Sequence, residues 1–220
     1  MNNVNWRNHL IELFVVIVGI TIAFSLNSWK ESRKEQKLEK KYIQSFISDI
    51  DRDAEELARL RDTTSYFHRM NGGLTKVLVT HDYNHDSLFY YVISLYSMST
   101  FLSQDNTYET LKASGNLEII SDFELKNDLT MLYNQHYKFI KFLDEIHERS
   151  IYDEMSPYIN KNVRFTGRPV ILNKEFLSDT YFINKSFSSY YFLNTKLRTY
   201  EDAIKKCEEI LIKLKSELDS

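Results

Sequence analysis

Residues 10–26, LIELFVVIVGITIAFSL, are apolar except at Glu12, Thr21 and Ser25, and residues 13–20 contain no polar position. A core helix of a soluble domain keeps a polar stripe. A run without one, at 1.5 Å per residue, approaches the ~20 residues that cross a bilayer core of about 30 Å. Trp6 and Trp29 bracket it where interfacial indoles sit and extend it to a full span. The pattern predicts a tail over 1–9 and a transmembrane helix over 10–29. Ala23-Phe-Ser25 has small residues at cleavage-site spacing, but charged helix-forming sequence continues past Trp29, so an uncleaved anchor is expected.

Behind the span the period changes. Ile43, Phe46, Ile47, Ile50, Ala54, Leu57 and Leu60 recur at three and four, with charge on the opposite face, which predicts a stalk helix over 30–66 continuous with the span. Asn71-Gly72-Gly73 interrupts it and leaves three readings open: a kink, a loop, or a weak point in a helix continuing to Val79. Residues 81–86, HDYNHD, read as a polar turn, and residues 87–98 as a short apolar helix with a buried strand as the alternative. After a loop near 100–106, Asn106-Thr107 can cap a helix over 108–114 that stops at Gly115. Ser121-Asp-Phe-Glu124 reads as a capping box. It opens a helix to about Tyr158, ended by Pro157, with Leu125, Leu129, Leu132, Tyr133, His136, Phe139, Ile140, Leu143 and Ile146 on its buried face. Residues 160–172, with Gly167 and Pro169, read as a loop, and 173–182 as a short helix. A last helix from Lys185 or Ser186 follows, with a seam at Leu197, Tyr200, Ile204, Cys207, Leu211, Leu214 and Leu218. That seam fits packing back on the stalk better than pairing with another subunit.

Composition agrees with the periodicity. Five glycines and two prolines in 220 residues favour long helices over turn-rich sheets, so the fold class is all-α: one transmembrane helix, a stalk, and an antiparallel helical bundle over 67–220. Fifteen Tyr and fourteen Phe suit an aromatic helical core.

Charge sets orientation and partners. Lys30, Arg33, Lys34, Lys37, Lys40 and Lys41 follow the span, whereas Arg7 alone precedes it. The basic flank stays cytoplasmic, which places the bundle in the cytoplasm, with Lys30, Arg33, Lys34 and Lys37 against lipid headgroups. The remainder is net acidic, which argues against nucleic acid as a partner. Within the span, Glu12, Val16, Gly19, Ala23 and Asn27 share a helix face, and Gly19-x-x-x-Ala23 permits close helix approach. Glu12, Gly19, Ala23 and Asn27 thus make a candidate packing or pore-facing surface in a homo-oligomer. Snorkelling of Glu12 to the headgroups is the plainer alternative.

Two segments, ELFVVIVGITIAFSLNSWKESRK and TYETLKASGNLEIISDFELKNDL, resemble an uncharacterised "domain of unknown function" family of bacterial single-pass membrane proteins. The resemblance rests on Glu12, Gly19, Trp29, Thr107, Tyr108, Leu111, Lys112, Ser114, Gly115, Asn116 and Leu117. It implies a membrane anchor with a helical cytoplasmic domain and no known reaction. By spacing, Tyr108, Leu111 and Leu117 enter a core and Gly115 permits a positive φ; Tyr108, Lys112 and Asn116 make a candidate pocket.

Chemistry is sparse. His81 and His85 are four apart, but their Tyr-Asn filler suits a turn, and Asp144-x-x-His147 is half of a carboxylate-bundle pattern without its other half. No phosphate-binding glycine loop and no nucleophile elbow occur. Cys207 stands at a seam position and reads as a core residue. No cofactor, no metal and no enzymatic activity are expected. The sequence supports a membrane-anchored scaffold or sensor, with a membrane-perturbing or pore-forming effector in bacterial stress or phage defence as the alternative. The protein partner or small-molecule ligand is unspecified.

Overall fold

A computed structural model describes residues 6–167 and 170–219, with side chains from Glu12 onward. The fold is all-α. Its long axis is α1, Trp6–Thr80, a single helix of 75 residues. From Glu12 to Leu38 every position on α1 is exposed; beyond Tyr42 a buried stripe runs through Ile43, Phe46, Ile50, Leu57, Leu60, Leu74 and Leu78.

Asn71-Gly72-Gly73 does not interrupt α1, so the third of the open readings holds. A Cβ on Gly73 would come within 2.6 Å of the Tyr91 ring, so this glycine serves close packing rather than a bend. Asn71 is wholly buried and its Nδ2 donates to the Phe67 carbonyl. The helix stops when His81 turns left-handed (φ 52°) and Asp82 N donates to the Val77 carbonyl, a Schellman closure.

The expected helix after the polar turn is α2, Leu88–Ile93, extended by a 3₁₀ turn at Ser94–Tyr96. Then comes α3, Asn106–Ala113. Asp105, not Asn106, holds its N-cap position, and Thr107 Oγ1 instead donates to Asp49 on α1 at 2.5 Å. Gly115 has φ 70° and leads into a 3₁₀ turn at Asn116–Ile119. The following cap is shifted by one residue from the sequence reading. Asp122 accepts from Glu124 N and Leu125 N, because Ser121 is engaged elsewhere, donating to Glu39 on α1.

Three helices, α4 (Phe123–Met131), α5 (Lys138–Arg149) and α6 (Ser156–Asn162), run on through π-helical turns at Leu132–Tyr137 and Ser150–Met155. The wider turns move the buried face by one position. Tyr137 is buried and Phe139 exposed, where a regular 3.6 period placed His136 and Phe139 inward. From His147 the buried positions then step by four, through Ile151 and Met155 to Ile159. Pro157 does not end the helix. It follows directly on the Ser150–Met155 π-helical turn, in the first turn of α6, and the helix stops at Asn162.

The expected loop at 160–172 contains a two-stranded antiparallel pair, β1 (Val163–Arg164) with β2 (Val170–Ile171), turned in part by Gly167 at φ 71°. Its β-branched runs supply the strands. Pro169 lies outside the described residues. The expected short helix is only a 3₁₀ turn at Glu175–Ser178, and the last helix, α7 (Thr180–Asp219), begins earlier than its seam indicated. The Asp179 carboxylate accepts from Phe182 N there.

α7 lies along α1 and closes the molecule. One apolar cluster joins Ile43 to Leu60 of α1 with α3, α4 and Tyr200 to Leu214 of α7; a second joins Leu74 to Leu78 with α2, α6 and Phe182. The seam therefore packs intramolecularly: Tyr200, Cys207, Leu211 and Leu214 are buried, while Leu197, Ile204 and Leu218 are half-buried. Asp128 fixes α4 to α7 by pairing with Lys206 and Lys213, each at 2.7 Å.

Candidate functional site

Three places hold the residues that the sequence singled out, together with others it did not. The first is the bare start of α1. Its 18-residue apolar window has mean hydropathy 1.7 and none of it is buried in the fold; this is the one stretch among the described residues that is long and apolar enough to cross a membrane. Phe14 is 67 % exposed and Phe24 73 %. Glu12, Gly19, Ala23 and Asn27 lie on this exposed stretch, and nothing stands within 4 Å of a Cβ built on Gly19. Trp29 is exposed with the Arg33 guanidinium 4.3 Å from its ring, and Lys30, Lys34 and Lys37 are exposed beside it. The side chains of Trp6, Arg7 and Leu10 lie outside the described residues.

The second is the 107–121 segment. Tyr108, Lys112 and Asn116 do not share a cavity. Tyr108 is buried, stacked on Tyr133 at 4.6 Å between ring centres, and its hydroxyl accepts from Asn134 at 2.5 Å. Lys112 is on the surface, paired with Glu109. Asn116 lines a cleft of about 550 Å³ between its own 3₁₀ turn and residues 31–39 of α1. Spacing fixed the burial of Tyr108 and Leu111; it could not show that the next turn swings Asn116 across to α1, since that depends on Ser121 gripping Glu39.

The third place was missed. Between the two apolar clusters lies a buried polar layer, built around a crossing segment, residues 97–105, that has almost no regular structure. Its backbone groups need partners away from water. Asp144 accepts from Phe101 N at 2.8 Å and Asp53 from Gln104 N at 2.8 Å; Lys196 donates to the Ser99 carbonyl at 2.7 Å, and Tyr133 OH to the Gln104 carbonyl. Lys196, wholly buried, also stands 2.7 Å from Asp144 Oδ1. Ser99 Oγ extends the layer to Thr64 of α1 at 3.0 Å and to the Tyr200 hydroxyl at 3.4 Å. The signal for it was in the sequence: Asp53, Thr64 and Asn71 fall in phase with the apolar stripe of α1, as Lys196 does on α7.

The layer is electrically unbalanced in places. Burial lowers Lys196, and the Asp144 charge partly restores it. Burial, helped by the neighbouring Asp49 and Asp105 charges, raises Asp53 to about 6 against the Gln104 N–H and the Tyr137 hydroxyl, which favour its charged form. His147, one turn beyond Asp144, is lowered to about 4 by burial and by the Lys196 charge. Asp53 Oδ2 and His147 Nδ1 have no hydrogen-bond partner among the described residues. Burial raises the Cys207 thiol to about 12, so it remains protonated beside Tyr137, 3.3 Å away.

Among the described residues no three His, Cys, Asp or Glu side chains converge as metal ligands. His81 and His85 occupy the turn, not one helix face: His81 Nδ1 meets Tyr83 OH, and His85 Nδ1 accepts from Ser87 N. The layer thus serves first as a polar lining for the crossing segment.

A family model described as a family of unknown function (DUF6090) matches residues 12–195. No curated protein and no solved structure matches the chain.

Proposed function

The chain belongs to this family of unknown function, and we propose that it is a non-enzymatic, membrane-anchored helical sensor or scaffold. One observation carries the reading. The apolar, bare start of α1 and the stripe that builds the bundle core belong to one unbroken helix. Eleven large apolar side chains from Leu13 to Trp29 standing in water would be an aggregation hazard, whereas in lipid they are at rest. The helix would leave the bilayer at Trp29, and its core-building stripe starts at Ile43, about 20 Å further along. The 116–119 turn descends beside residues 31–39 and would face the headgroups together with Lys30, Arg33, Lys34 and Lys37. The basic flank favours a cytoplasmic bundle. Glu12, Gly19 and Ala23 offer a face for pairing with a second copy.

Fractionation and topology reporters test this. The full chain should stay in membranes after alkaline carbonate extraction, and a carboxy-terminal phosphatase fusion should be inactive where a fluorescent fusion is bright. Recovery in the soluble fraction overturns the anchor. Size measurement in detergent should give more than one copy, reduced by Gly19→Leu; a monomer unaffected by that change removes the pairing face.

A further inference from the structure

We propose that a cavity of about 190 Å³ beside His147 is a binding site for a small, mostly apolar ring compound carrying one hydroxyl or ring N–H.

The cavity lies where three elements meet. Leu95 follows α2; Ile151 and Met155 belong to the π-helical turn after α5; Phe192 and Ser189 come from α7. Its lining is mostly hydrocarbon. Apolar cavities of about 150 Å³ take up benzene-sized guests; this one is slightly larger and opens to the surface beside Ser188.

His147 makes the cavity more than a packing fault. The residue is 5 % exposed and lines the cavity, and its Nδ1 has no hydrogen-bond partner among the described residues. Leaving such a group unpaired is costly, so a site of this kind gains from a guest that supplies the missing partner. Its lowered pKa keeps the imidazole neutral at physiological pH, with one nitrogen donating and one accepting. A neutral hydroxyl or N–H suits that ring; a carboxylate or an ammonium would find no opposite charge among the Ser150, Ser188 and Ser189 hydroxyls and the hydrocarbon that line the cavity. Phe192 lies against the imidazole, ring centres 5.2 Å apart, and holds it to the cavity wall.

The wall is also a place that can yield. The Ser150–Met155 segment is wound with a wider π-helical turn, a geometry that recurs at binding sites. A second recess of about 410 Å³, bordered by the Glu154–Lys185 ion pair, shares Ile146 and Ser150 with the first.

The experiment uses the full chain in dodecyl maltoside micelles with ¹⁵N-labelled histidine, titrated separately with phenol and benzene. His147 signals are assigned by their loss in His147→Phe. Phenol should shift the His147 ring nitrogens saturably, with half-saturation below about 1 mM. Benzene, which cannot reach the imidazole with a hydrogen bond, should bind about tenfold more weakly. In His147→Phe, read by a competing fluorinated phenol, the two affinities should become equal. Should that variant lose its cooperative melt, Ser189→Leu serves instead: it fills the cavity without altering the imidazole, and phenol binding should vanish while the His147 signals persist. A shift that rises linearly with phenol, equal affinities for phenol and benzene in the unaltered chain, or phenol binding that survives Ser189→Leu each overturns the proposal. So does a cavity that holds an ordered water and takes neither compound.

Discussion

Asp53 and His147 should oppose each other in the acid stability of this protein. Asp53 ionises at about 6 in the fold against 3.8 without it, so between those values the folded chain holds a proton that the unfolded chain has released. Stability therefore falls as pH rises through that window. The gap is worth about 3 kcal/mol, and about 2 kcal/mol after allowance for solvent relaxation around the carboxylate. His147 has the reverse sign: at about 4 in the fold against 6.5 outside it, the unfolded chain binds the proton first on acidification. Its contribution of about 3 kcal/mol is present above pH 6.5 and is lost as pH falls towards 4.

Single substitutions separate the two. Asp53→Asn retains the oxygen that accepts from Gln104 N and abolishes the ionisation. Relative to the unaltered chain it should be near neutral at pH 4 and more stable by about 2 kcal/mol at pH 7.5. In a chain of this size that is a rise in Tm of about 4–8 °C. His147→Gln should show a constant packing penalty at pH 7.5 that shrinks by about 3 kcal/mol by pH 4. The assay is far-UV circular dichroism melting of the full chain in neutral micelles, at half-unit steps of pH. Difference curves cancel the titrations that the variants share. An Asp53→Asn curve parallel to that of the unaltered chain, or one falling below it at high pH, would refute the assignment of an unbalanced buried carboxylate.

Other substitutions test the remaining architecture. Lys196→Met should cost about 3–5 kcal/mol, because it strands Asp144 in the core and frees the Ser99 carbonyl; a loss under about 1 kcal/mol by urea titration would mean that water reaches the pair. Gly115→Ala, at φ 70° with open space around it, should cost about 1 kcal/mol from backbone strain alone, read as a small drop in Tm. Gly73→Ala should destabilise despite alanine's better helix propensity, since the Tyr91 ring must move; a gain in Tm would show that the ring is free to do so. If Glu12 conducts rather than packs, cells expressing the chain should depolarise in a potential-sensitive dye assay and Glu12→Leu should abolish it; unchanged potential with and without the substitution excludes the pore reading.

The all-α class and the long α1 were legible because a strong 3.6 period with few glycines admits little else. The ends of elements were less so. Asp122 rather than Ser121 caps α4 because Glu39, distant in sequence, has taken Ser121, and no local rule contains that contact. Phe139 was assigned inward because a regular period was carried across residues 132–137, where a π-helical turn adds a residue; the buried sequence Tyr133, Tyr137, Ile140 records the slip only in hindsight. The polar layer was overlooked for a different reason. Asp53 and Thr64 stand unremarked within an apolar stripe and Asn71 was weighed only with Gly72-Gly73, although a polar residue held in phase with such a stripe must find a buried partner.

That last point also separates what the crossing segment explains from what it does not. Residues 97–105 bring buried backbone groups into the middle of the bundle, and hydrocarbon cannot satisfy them. Asp53, Asp144 and Lys196 each satisfy one: the Gln104 N–H, the Phe101 N–H and the Ser99 carbonyl. Their charges follow from the path of the chain, and no ligand is needed to account for them. Thr64 and Tyr200 complete the same set through Ser99. His147 belongs to the layer by position yet serves none of these groups. A leucine there would have kept a similar volume and removed an unpaired nitrogen. The crossing segment therefore accounts for the ion pair at Asp144, and it leaves the imidazole one turn further on as an unpaired polar group at the wall of a cavity.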